Sequence, residues 1–170
     1  MSSDININEE ACKPSEPQKE HKLLERLLGD WTFEADCMMG PGQAPVKSTG
    51  RESVRSMRGI WFVGEGESSI GDITGDTMIT LGYNPQTKRY VGSWVGSMMT
   101  HMWVYDGEMD AEGKVLTLNA EGPDFSKPGK LSKYQDIMEF VSDGHRILRS
   151  QVQGENGEWT EFMKAVYRRK

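Results

Sequence analysis

From Asp30 to Arg168 the chain is a succession of short segments in which residues of opposite character alternate, each ended by residues that favour turns. Alternation at period 2 is the signature of strands, since successive side chains point to opposite faces. Candidate strands lie near 30–39, 49–57, 60–70, 76–83, 88–97, 101–109, 114–120, 131–141, 145–153 and 158–168. The breaks carry turn chemistry: Gly40-Pro41-Gly42, Arg58-Gly59, Gly71-Asp72, Asn84-Pro85, Asp110-Ala111-Glu112-Gly113, Asp143-Gly144 and Asn156-Gly157. Short strands at regular spacing, joined by short hairpins, predict an antiparallel meander. About ten such strands must form a sandwich or close on themselves. An up-and-down barrel leaves no exposed sheet edge, so a closed barrel of mainly β class is the expected fold and an open sandwich the alternative.

One helix is expected ahead of the strands. Ser15 and Gln18 have the spacing of a capping box, and Pro17 is tolerated in a first turn. Leu23, Leu24, Leu27 and Leu28 form an apolar stripe, and Gly29 is a natural stop. A helix of about ten residues would bury that stripe and cap one barrel end. The final strand, Trp159 to Arg168, would pair back with the first. Residues 1–14 are polar and unpatterned and read as a disordered tail, leaving 15–170 as one domain. The Pro- and Gly-rich stretch Glu121–Lys130 is the candidate mouth or lid.

Several strings carry a family resemblance. Leu27-Leu28-Gly29-Asp30-Trp31 resembles the Gly-x-Trp opening of lipocalin-like (calycin) barrels. Gly82-Tyr83-Asn84-Pro85, Tyr90-Val91-Gly92-Ser93-Trp94, Tyr105-Asp106-Gly107-Glu108-Met109-Asp110 and Tyr167-Arg168-Arg169-Lys170 resemble the mainly bacterial domain of unknown function 1579 family. The similarity covers roughly residues 20–170. It implies a lipocalin-like barrel and no particular activity.

Composition narrows the partners. The 20 basic and 26 acidic residues give a net charge of -6, against nucleic acid or anionic lipid as a general partner. Arg168-Arg169-Lys170 reads as a solvated end. No apolar run approaches the ~18 residues of a membrane span, and the first ten residues lack the basic and apolar regions of a secretory signal. Two cysteines, Cys12 and Cys37, are too few for a disulfide framework, so a cytoplasmic setting is expected. A monomer is the default, with a dimer through a barrel edge or methionine surface as the alternative.

The segment Tyr90–Tyr105 holds two Trp, two Tyr, three Met and a His within hairpin length. An even loop around Met98-Met99 would set Trp94 opposite Trp103, Gly92 opposite Tyr105 and Gly96 opposite His101. Rings and imidazole then share a face, with glycines leaving room beside them. If that face is the lumen wall, it suits a small apolar ligand. Trp61 and Glu65 share one face of another candidate strand, 60–70. Pointing inward, Glu65 would be a buried acid or base; pointing outward, which is the expected case, it is solvated. His21 is expected on the polar side of the helix and His145 at a turn-flanking surface position.

The ligand-binding candidates are therefore Trp94, His101, Trp103, Tyr105, Gly92, Gly96, Trp61 and Glu65, with no catalytic or metal residues and no cofactor expected. No Gly-x-Ser-x-Gly elbow or Cys–His pairing is legible. Non-catalytic binding of a small hydrophobic molecule leads. The alternatives are a packed interaction module, a cavity isomerase or hydrolase using Glu65 or His101, and a haem site with His101 as axial ligand.

Overall fold

The computed structural model describes residues 13–170, so Cys12 and nearly all of the expected tail lie outside the described residues. Ten strands follow one another: β1 Gly29–Cys37, β2 Val46–Met57, β3 Trp61–Ile70, β4 Ile73–Asn84, β5 Arg89–Gly96, β6 Trp103–Met109, β7 Val115–Pro123, β8 Leu131–Ser142, β9 His145–Gln153 and β10 Trp159–Arg169. Each pairs antiparallel with the next, and β1 also pairs with β10, from Trp31 opposite Arg169 to Cys37 opposite Met163. The sheet is a closed barrel. Closure gives every strand a paired neighbour on both sides and leaves no edge strand.

Turn residues set the hairpins. Between β2 and β3, Ile60 N–H donates to Met57 C=O at 3.2 Å, and the two central residues Arg58 and Gly59 have φ of 53° and 74°. Positive φ at both centres is what a primed hairpin turn requires, because it matches the right-handed twist of the flanking strands. Alternation then divides each strand between solvent and interior. In β1, Trp31 and Ala35 are buried and Phe33 and Cys37 face the same way; in β8, Tyr134, Met138 and Phe140 do so. One departure matters for the interior. A register shift between Glu161 and Met163 in β10 lets the consecutive side chains Phe162 and Met163 both face the lumen.

The helix is shorter and begins later than the leucine stripe suggests. It is α1, Lys19–Leu24, continued by a 3-10 turn over Glu25–Leu27. Its N-cap is Gln18, not Ser15, and Gln18 N–H donates to His21 Nδ1 at 3.0 Å. The later start puts His21 one turn before Leu24 on the inward face, so His21 is buried rather than solvated and meets Tyr83 edge-on. Leu24 and Leu27 are fully enclosed.

This helix seals one end of the barrel. Tyr90 Oη donates to Glu20 C=O, Arg26 donates to Gly113 C=O in the β6–β7 turn, and the Arg26 guanidinium lies over the Phe140 ring. Arg169, expected as a solvated end, is exposed yet donates to the carbonyls of Leu28, Arg26 and Asp143. The hairpins β1–β2, β3–β4, β5–β6, β7–β8 and β9–β10 lie at the other end, so 124–130 sits there between β7 and β8. No helix among the described residues is long and apolar enough to cross a membrane.

Removing the buried isobutyl group of the cap tests its contribution. Leu24→Ala is expected to lower the unfolding free energy by ~2–5 kcal/mol in urea denaturation. A loss under about 1 kcal/mol would show that the helix does not seal the end.

Candidate ligand site in the barrel lumen

The aromatic hairpin is built from β5 and β6 in the even register. Trp94 is paired with Trp103, Gly92 with Tyr105 and Tyr90 with Gly107. The ladder stops there, and Gly96 and His101 are not paired, because the connection over Ser97–Met102 is longer than a two- or four-residue loop. Within it Met99 N–H donates to Gly96 C=O, and Met98 folds back so that its sulfur occupies the space beside Gly96. Gly92 likewise does not make room for Tyr105. A Cβ there would lie 1.8 Å from Thr80 C=O, so glycine serves the close approach of β4.

Inside the barrel is a cavity of ≈ 360 Å³. Trp94, Trp103 and Tyr105 line it, joined by residues from every strand of the barrel. Near the mouth the wall is apolar and soft: Met98, Met99, Phe125, Phe162 and Met163. Trp103 Nε1 donates to Met99 Sδ, and its ring meets Tyr134 and His101 edge-on at 4.7 and 4.8 Å. Phe125, in the 124–130 loop, is 72% exposed while still lining the cavity. A second hollow outside the mouth shares Phe125, Tyr134 and Phe162 with the lumen, so the two spaces meet there.

Deeper in, a few polar groups interrupt the apolar wall. Asp136 on β8 accepts 2.5 Å hydrogen bonds from Tyr105 Oη and Ser150 Oγ. Burial raises the Asp136 carboxyl above the usual range, against the opposing effect of those two bonds. Burial also holds the Tyr105 hydroxyl well above its ordinary value, reinforced by the Asp136 charge. Arg146 on β9 ion-pairs with Glu52 on β2 at the capped end. Its guanidinium lies over the Trp31 and Tyr167 rings, 4.4 and 4.3 Å from their centroids. Burial pushes the Tyr167 hydroxyl up as well, with the Glu52 charge adding to it. The Cys37 thiol also lines the cavity and is raised by burial, then by Asp36, which makes it a poor nucleophile.

The remaining sequence candidates lie elsewhere. The register of β3 turns Phe62, Gly64 and Ser68 inward, which places Trp61 and Glu65 outside; Trp61 is 40% exposed and packs across Gly82. His101 is half-buried at the rim, with Nε2 at 3.0 Å from Glu121 C=O, and is not among the lumen-lining residues. His145 opens β9 half-buried rather than fully at the surface. No cluster of three metal-ligating side chains occurs among the described residues.

Sequence reasoning missed Arg146, Glu52, Asp136 and Ser150. A signal existed for one of them. Asp136 shares its parity with Tyr134, Met138 and Phe140, so a lone carboxylate stood on an otherwise apolar face. The β9 alternation could not reveal Arg146, because Arg149 on the opposite face carries the same charge.

Asp136 should leave a mark on the pH dependence of stability. A carboxyl with a raised folded-state pKa binds its proton more tightly folded than unfolded. Its protonation thus stabilises the fold, fully below the unfolded value, and that contribution disappears as pH rises through the folded value. Wild type is therefore expected to gain stability relative to Asp136→Asn as pH falls from neutral toward about 4. Urea midpoints across that range measure it, and a constant difference would contradict the assignment.

Comparison with known proteins places this geometry. No curated protein sequence matches the chain. Among solved structures, the crystal structure of Rv2717c from M. tuberculosis is similar at a TM-score of 0.59 and 11% identity, over 91% of this chain and 99% of that one. The S-type phycobiliprotein lyase CPES from Guillardia theta is similar at 0.55 and 14%, over 92% and 99%. At such identities the likeness speaks for the fold alone, a closed antiparallel β-barrel. A family model described as "Protein of unknown function (DUF1579)" matches residues 16–169, and the chain belongs to that family.

Proposed function

We propose that this barrel binds one small, largely apolar molecule in its lumen without transforming it. The cavity carries the reading. At ≈ 360 Å³ it falls within the range of small-molecule pockets and is far larger than a packed module leaves between its side chains. Its wall is apolar and aromatic with few polar groups, as in sites that fix orientation with a small number of hydrogen bonds. The methionines at the mouth adapt to an entering molecule at little cost.

Chemistry in the same space has less support. Neither Glu65 nor His101, the expected acid or base, is among the lumen-lining residues. No histidine lines the cavity among the described residues. The net charge of -6 and the two cysteines favour a small-molecule partner and a reducing, cytoplasmic setting, and closure of the barrel supports a monomer.

Titration with the neutral fluorophore N-phenyl-1-naphthylamine tests the reading. A single saturable site is expected. Ala120→Phe, which fills the lumen, should weaken it about ten-fold or more, with folding checked by circular dichroism. Trp61→Ala and Glu65→Gln on the outer face should leave it within about two-fold. Absence of saturable binding, or binding indifferent to Ala120→Phe, would reject a lumen site.

A further inference from the structure

Arg146 is enclosed more completely than its bonding explains. Its side chain is 3% exposed at the floor of the lumen. Nη2 donates to Glu52 Oε1, while Nε and Nη1 have no acceptor. A guanidinium carries five N–H donors, and the two bare nitrogens hold three of them. Buried donors are almost always met, and leaving them bare is costly. Stacking on Trp31 and Tyr167 does not satisfy an N–H in the plane of the group. Arg146 is among the residues that line the cavity, which puts its side chain at the lumen floor with two donors unmet.

Resting on the lumen-binding reading above, we infer that the ligand is an apolar molecule ending in a carboxylate, seated carboxylate-down on Arg146. Charge-assisted bonds from a guanidinium to a carboxylate are roughly twice as strong as those to a neutral acceptor, which favours the acid over an alcohol or amide. The rest of the molecule would run along Leu148 and Met138 to Met98 and Met99 at the mouth. Two carboxylates also face this space. Glu52 is ion-paired with Arg146 itself, and Asp136 accepts hydrogen bonds from Tyr105 and Ser150, with burial raising its carboxyl.

Calorimetric titration of the full chain with decanoate and with decanamide, which differ only in the head group, tests the inference. Decanoate is expected to bind about ten-fold or more tightly than decanamide. Arg146→Gln should abolish that preference and leave decanamide within about two-fold. Glu52→Gln, which removes the competing negative charge while keeping the arginine, should tighten decanoate and not decanamide, and gives an answer even where Arg146→Gln does not fold. Equal affinity for the two ligands in wild type would overturn the carboxylate while leaving a lumen site standing. Failure of either to bind, together with N-phenyl-1-naphthylamine, would remove the lumen reading itself.

Discussion

The indole of Trp31 is the joint on which this barrel depends. It stands at the start of β1, fully buried, and its Nε1 donates to Leu27 C=O at the end of the helical cap. Two guanidinium groups lie over its ring: Arg146 from the lumen and Arg169 from β10. Arg169 in turn bonds the backbone of the cap and of the β8–β9 turn. Strand closure, the helix and the polar floor of the cavity thus meet at one side chain. The Gly-x-Trp opening and the closing Tyr-Arg-Arg-Lys string are far apart in sequence, yet Trp31 and Arg169 are direct ladder partners.

The architecture was legible because its information is local. Alternation and turn residues mark strands without reference to anything distant, and all ten were visible that way, within a few residues at their ends. The helix was legible in kind but not in extent. The capping residue depends on where the chain meets the barrel, and there the buried His21 and Gln18 replaced the expected Ser15 box.

The site was legible only in part, for a reason of the same sort. Pairing within one hairpin is fixed by loop parity, so the residues between Trp94 and Trp103 suffice to set the two indoles opposite each other. Which face of β3 points inward is decided by its neighbours β2 and β4, and Trp61 and Glu65 fell outside. Arg146 and Glu52 meet across the lumen from strands distant in the chain. No spacing rule connects them.

The ladder between β1 and β10 also bears on how the molecule is made. Every other strand pair joins neighbours in the chain, so nine hairpins can form early and independently. The tenth seam joins the two ends of the barrel and waits for β10 to appear. Until then β1 and β9 are open edges, and the Trp31 face has no second cover. Closure is therefore the late step of folding, and the period before it is when this chain is most exposed to association with its own copies.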